Sequence, residues 1–198
     1  MKQADSQSTT KSPESGRKHA GSGGPSPWVQ RFAPLVPAGA PVLDLACGGG
    51  RHSRLFLERG HPVLAVDRDL SRLGALADDP RLEALACDLE DGRLPSFLER
   101  RFGGIVVTNY LYRPLFGPLA AELAPGGVLI YETFAKGNER FGKPSNPDFL
   151  LDPGELLAAF MGRLRIVAYE DVTVEAPRPA AVQRLCAQAP LEGAPEKE

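Results

Sequence analysis

The chain has 198 residues and a formal net charge of -2, with 42% hydrophobic and 24% charged residues. That length holds one domain with a real core, and the composition is that of a soluble globular protein. The slightly acidic balance excludes a strong global attraction to nucleic acid or an anionic membrane, no apolar run can cross a bilayer, and the N-terminus lacks the apolar core of a signal peptide.

Residues 1–25 are rich in Ser, Gly, Lys and Pro with almost nothing to bury, which predicts a disordered leader up to about Gly24. Asp5 and Glu14 interrupt its basic residues and no amphipathic period is present, so it does not read as a transit peptide. Order is expected from "PWVQRFAPLV", where Trp28, Val29 and Phe32 share one face of a short helix. These aromatics can cap a ligand cleft or join the core. "PVLDLA" reads as a buried strand running into a glycine loop. "GRHSRLFLERG" reads as a helix stopped by Gly60, and "HPVLAVD" as a second strand. A second helix is predicted over "DLSRLGALADD", ending before Pro80, and a third strand over "LEALACDL". "LPSFLERRF" predicts a short helix and "GGIVVTNYLY" a fourth strand with its exit. "RPLFGPLAAEL" has helical spacing broken by Gly117 and Pro118, and "GGVLIYETF" is the fifth strand. "DPGELLAAFM" predicts a helix with Asp152 as N-cap and Pro153 in its first turn. "LRIVAYEDVTVE" and "AAVQRLCAQAPL" add two strands, and residues 192–198 form a flexible tail.

Repeated strand–helix–strand units predict an α/β fold, a doubly wound, mostly parallel seven-stranded sheet over residues 26–191. The last two runs follow each other without a helix, so they are expected to pair antiparallel at one edge.

In such a sheet, ligands sit at the carboxyl ends of the strands, where Gly48, Gly49 and Gly50 fall. Three glycines exceed what a tight turn requires and suit close approach of a ligand to the backbone. A phosphate loop of the P-loop type fails, because no Lys follows these glycines. A dinucleotide loop is weakened by Ser53, which stands where the last glycine belongs. Asp44, ahead of the loop, disfavours a pyrophosphate and suits a cationic or amine-bearing ligand.

"VLDLACGGG", with Asp67 ending the next strand and "CDLE" ending the third, resembles the class I S-adenosylmethionine-dependent methyltransferases. The compact size is also similar to the tellurite-resistance-type small methyltransferases. The resemblance covers roughly Trp28 to Leu191 and implies the Rossmann-like methyltransferase fold with S-adenosyl-L-methionine as cofactor. At the family's first glycine position this chain has Ala46; Gly48 and Gly50 occupy the other two. The resemblance implies that Asp44 anchors the loop and reaches the ammonium end, directly or through water. It puts Gly48 and Gly50 against the methionine moiety and Asp67 on the ribose hydroxyls. It puts Cys87, Asp88, Leu89 and Arg68 around the adenine, and Asn109 and Tyr110 beside the sulfonium. Without a family, Asp67 reads as a helix N-cap and Asp88 as a solvated loop acid.

Methyl transfer from a sulfonium needs orientation and exclusion of water more than acid–base machinery. His19, His52 and His61 are scattered without metal-ligand spacing, so no metal is expected. Cys47, Cys87 and Cys186 are an odd count without paired spacing; they read as packing residues in a reducing, cytoplasmic setting. Tyr110, Arg113 and Glu132 are the candidate catalytic or acceptor-binding residues, Glu132 as general base or substrate anchor. "TNYLY" differs from the "NPPY" type of motif found in some amide and exocyclic-amine methyltransferases. The segment Tyr131 to Leu151 reads as a lid or binding loop, or as a solvated connector. The expected acceptor is a small molecule. RNA or protein as acceptor, supported by the basic "KGNERFGK" loop, and a non-catalytic cofactor-binding module are the alternatives.

Overall fold

The computed structural model describes residues 23–92 and 99–191. The disordered leader is expected over residues that, up to position 22, lie outside the described ones; so do the flexible tail and the expected short helix as far as residue 98.

The elements in chain order are α1 (Pro27–Phe32), β1 (Val42–Leu45), α2 (Arg51–Glu58), β2 (Val63–Asp67), β3 (Leu82–Ala86) and β4 (Phe102–Thr108). There follow α3 (Phe116–Ala121), β5 (Leu123–Phe134), α4 (Glu155–Phe160), β6 (Arg165–Val174) and β7 (Ala180–Gln188). The seven strands form one sheet in the order β3-β2-β1-β4-β5-β7-β6. Strands β1 to β5 pair parallel, and β7 runs antiparallel between β5 and the edge strand β6. From the adjacent pair β1 and β4 the chain winds outward in opposite directions. Their carboxyl ends therefore form the switch point at which doubly wound sheets bind ligands.

The apolar runs explain this arrangement. β1 is buried throughout and β2 to its last residue, as strands covered on both faces must be. Leu43, Leu45, Ile105, Val107, Leu129 and Tyr131 pack on the face of α3 and α4. Val42, Ala65, Val106, Val128 and Ile130 pack on the face that holds Trp28, Val29 and Phe56. α1 buries Trp28, Val29 and Phe32 together, the face expected from their spacing. Ser26 caps it by accepting the Trp28 N–H on Oγ at 3.1 Å, with Pro27 at the first position. At the other end of α2, Gly60 (φ 87°) turns the chain, and the His61 N–H returns to the Phe56 carbonyl at 3.0 Å.

Local signals misled in three places. No α-helix forms over 69–79; only a 3-10 turn over Gly74–Asp78 is present, because Gly74 adopts φ 54° and breaks the helical run. Phe102, expected in a helix, opens β4. α4 starts at Glu155 behind a left-handed Gly154, so Asp152 is not its cap residue; the Asp152 carboxylate pairs with Lys136 instead.

Candidate functional site

The glycine loop has a backbone that few residues accept. Ala46, Gly48 and Gly50 all have positive φ, at 55°, 57° and 70°. Left-handed backbone costs a Cβ-bearing residue about 1–2 kcal/mol. Ala46 therefore stands in a glycine conformation and carries that strain. At Gly50 space is also lacking, since a Cβ would lie 2.6 Å from Leu76 Cδ2 and 2.7 Å from Leu73 Cδ2. Gly49 has neither constraint.

Asp44, buried at the end of β1, ties the loop down. Its Oδ2 accepts the Ser53 backbone N–H at 2.8 Å and the Ser53 hydroxyl at 2.6 Å. Burial raises its pKa to about 6, even though both Ser53 bonds favour the charged form. Of its two expected roles, this geometry displays the loop anchor.

Asp67, at the end of β2, holds the loop from the other side. Its Oδ2 accepts the Gly48 N–H at 3.0 Å and its Oδ1 the Asp69 N–H at 3.1 Å. It caps no α-helix, since none follows. A cleft at the carboxyl ends of β1, β2 and β3 is lined by Ala46, Asp67, Arg68, Cys87, Asp88 and Leu89. Five residues expected around the ribose and adenine thus meet at one place with Ala46 of the loop. Leu89 is buried beneath, while Arg68 and Asp88 are exposed.

The ends of β4 and β5 carry the acceptor candidates. Asn109 is exposed, has φ 54°, and donates its N–H to the Glu132 carbonyl at 2.9 Å. Tyr110 is buried on the opposite sheet face, and its carbonyl accepts the Tyr131 hydroxyl at 3.0 Å. Arg113 is directed elsewhere. It grips both Glu155 carboxylate oxygens, at 2.6 and 2.9 Å, and donates to the carbonyls of Asp148 and Leu150 at 2.9 and 3.0 Å. It clamps the 148–155 segment. The segment from Tyr131 to Leu151 is fastened as well: buried Asn138 accepts the Ala181 N–H at 3.2 Å, and Arg140 donates to Thr173 Oγ1 at 3.0 Å.

Glu132 belongs to a network that the sequence did not reveal. Its Oε1 accepts the Ser26 hydroxyl at 2.9 Å, and Arg184 lies 3.6 Å from Oε2. The Ser26 N–H donates to His52 Nε2 at 3.2 Å, and Thr108 Oγ1 lies 3.4 Å from His52 Nδ1. Burial, assisted by the Arg51 charge, lowers the His52 pKa to about 3. The imidazole is therefore neutral near pH 7, with its proton on Nδ1 and Nε2 free to accept. Strand-end position and helical phase could have flagged Thr108 and His52. Nothing local could have flagged Ser26, which is 106 residues from Glu132.

The three cysteines are free thiols. Burial pushes all three pKa values up, that of Cys186 to about 12, which suits packing and not nucleophilic attack.

No protein-family model matches the chain, and no curated protein matches it by sequence. Solved structures do. TehB from Haemophilus influenzae superposes with TM-score 0.67 at 15% identity, over 82% of this chain and 61% of the TehB chain. The 1,6-didemethyltoxoflavin-N1-methyltransferase of Burkholderia thailandensis, crystallised with 1,6-didemethyltoxoflavin and S-adenosylhomocysteine, gives 0.62 at 21% identity over 83% and 77%. A methyltransferase from Methanosarcina mazei gives 0.63 at 15% identity over 85% and 100%. The fold is that of the S-adenosylmethionine-dependent methyltransferases. At these identities the likeness is one of fold, and the chain spans about three fifths of TehB's length. In this methyltransferase fold the glycine loop stands at the switch point, and the lined cleft lies beside it at the ends of β1, β2 and β3. Among the described residues no helix is long and apolar enough to cross a membrane.

Proposed function

We propose that the chain is an S-adenosylmethionine-dependent methyltransferase acting on a small-molecule acceptor. One observation carries this reading: Ala46 of the loop, Asp67 and Asp88 line a single cleft at the ends of β1, β2 and β3, with Asp67 bonded to the loop itself. The donor set fits the cofactor. Asp67 lines the cleft with a carboxylate, the group that accepts ribose hydroxyls; Asp88 and Leu89 take the adenine; Gly48 and Gly50 admit the methionine chain. When bound, the cofactor supplies a methyl group already activated by a sulfonium. The protein's own work is then to orient the acceptor and exclude water. Glu132, held by Ser26 and Arg184, is the acid placed to anchor an acceptor or receive its proton at the β4–β5 end. Asn109 borders that place through its bond to the Glu132 carbonyl, while Tyr110 lies in the core on the other sheet face and Arg113 holds the 148–155 segment.

Support for a macromolecular acceptor is weaker, because two cations of the basic loop are engaged: Lys136 with Asp152 and Arg140 with Thr173. We assign the protein to the cytoplasm on its three free thiols. The test is incubation with methyl-labelled S-adenosylmethionine and a fractionated cell extract. The proposal predicts label in a low-molecular-weight fraction. Label in RNA or protein would replace the acceptor class, and tight binding without transfer would leave a cofactor-binding module.

A further inference from the structure

The sheet carries a second concavity at its other end. The cofactor cleft lies at the carboxyl ends of β1 to β3; a groove of about 430 Å³ lies where β4 and β5 begin and β7 ends beside them. Leu123, Leu164 and Ala189 line it with buried apolar side chains, and Pro125 and Pro190 with exposed ones. Its charged lining residues are Arg101 and Arg163, both exposed, with no acid among them. Both guanidiniums lie along α3. Arg101 Nη1 donates to the Ala121 carbonyl, a bond that uses one donor and leaves the rest of its fork. Arg163 Nη1 lies 3.0 Å from the point where a Cβ on Gly117 would stand, so the glycine that interrupts the apolar spacing of α3 leaves room for it. Gly117 and Ala121 are one helical turn apart, which separates the two groups by about 6 Å along the helix. The apolar surface continues past the groove: Leu191, next to Pro190, is 69% exposed, and Met161, bridged to Leu164, is 65% exposed. These are the two most exposed large hydrophobic side chains among the described residues. Apolar surface gathered at one place and rimmed by charge marks a binding site.

We propose that this groove is a second ligand site, for a small amphiphile with an oxyanion head and an apolar tail, taken up from solution. A guanidinium donates parallel charge-assisted bonds to a carboxylate or phosphate, and two of them about 6 Å apart reach opposite sides of one oxyanion. The tail covers Leu123 and Leu164 and extends over the apolar surface beside them, which removes it from water. The volume falls in the range of small-ligand sites, which favours an amphiphile over an acidic protein. Each residue of β4 advances the chain by about 3.3 Å, so the groove stands about 20 Å from Asn109 at the other end of that strand. A ligand here leaves the cofactor cleft free, and the proposal does not depend on the cofactor assignment.

The experiment is titration of the full chain with octanoate and with octyl phosphate, read by calorimetry and by amide NMR shifts, with octanol as the uncharged analogue. The proposal predicts saturable one-to-one binding of at least one anion; the tighter one names the head. The amides of Leu164 and Ala189 should shift and those of Gly48 to Gly50 should not. Arg101→Gln and Arg163→Gln should each weaken anion binding by about tenfold or more, the lower end for a charge-assisted hydrogen bond, and octanol should bind the unsubstituted chain more weakly by at least about as much. Unchanged melting temperatures show that both variants fold, and S-adenosylhomocysteine titrated into the same samples reports on the cofactor assignment separately. Octanol binding as tightly as the anions, affinities unchanged in both variants, or shifts confined to the glycine loop overturn the proposal. So does binding of neither anion, whether a second copy covers the face, seen as a dimer in sedimentation, or an acidic peptide of Glu and Leu, titrated in parallel, binds there instead.

Discussion

The Gly48 N–H and the Asp67 carboxylate are 3.0 Å apart, so the glycine loop and the acid ending β2 form one unit. Asp67 shapes the loop and faces the cleft with the same side chain. A substitution there tests two functions at once, and the choice of substitution separates them. Asn keeps an oxygen for Gly48 but loses the charge and half of the acceptor capacity. Asp67→Asn should fold normally and bind S-adenosylhomocysteine about tenfold more weakly, the scale of one charge-assisted bond. Asp67→Ala should lose more, because the loop is released as well. Unchanged calorimetric affinity in a folded Asp67→Asn would remove Asp67 from the ribose.

Ala46 occupies a backbone conformation that costs a Cβ-bearing residue about 1–2 kcal/mol, part of which is offset because glycine makes the unfolded chain more flexible. Ala46→Gly should therefore raise stability by up to about 1 kcal/mol. Denaturant unfolding measures this directly. A destabilised variant would show that the Ala46 methyl group contributes packing greater than the strain.

Asp44 and His52 give opposite pH dependences. Asp44 has a folded pKa raised to about 6 from 3.8, so the native state holds a proton that the unfolded chain has released, and stability falls as pH rises through that window. His52 has a folded pKa lowered to about 3 from 6.5, so the unfolded chain holds the extra proton and stability rises with pH between those values. Each slope is about 1.4 kcal/mol per pH unit, and between about pH 4 and 6 they cancel. Asp44→Asn should uncover the rising slope and His52→Gln the falling one. Unfolding curves at several pH values check both signs; parallel profiles for the two variants would refute the assignment.

Ser26 caps α1 and also joins the start of α1 to β5 through Glu132. Ser26→Ala removes both bonds and should cost about 1–2 kcal/mol, the range of a lost N-cap with a lost side-chain hydrogen bond. It should also raise hydrogen exchange over Pro27–Phe32 ahead of the sheet. Exchange unchanged in α1 would mean that Trp28 and Phe32 hold the helix without the Ser26 bonds.

The sheet was legible because β1, β2 and β4 are short apolar runs that end on recognisable residues, and Asp67 falls at a strand end by simple counting. The residues that line the cleft are ones the family resemblance had grouped around the ribose and adenine, together with Ala46 of the loop. Arg113 was not legible: it stands among the acceptor candidates by its place after β4, but its guanidinium is fixed by Glu155, 42 residues away. His52 looked like one scattered histidine, because Ser26 and Thr108 reach it only in the folded chain. Over 69–79 the apolar spacing is helical, yet Gly74 chooses the left-handed region and the helix never starts. Pattern carries what each strand buries; partners far apart in sequence come from the packing.

The cofactor assignment is tested most directly by titrating S-adenosylhomocysteine into the full chain by calorimetry, with NAD as the competing nucleotide. The account predicts saturable one-to-one binding of S-adenosylhomocysteine that NAD does not displace. No binding, or tighter binding of NAD, would contradict it.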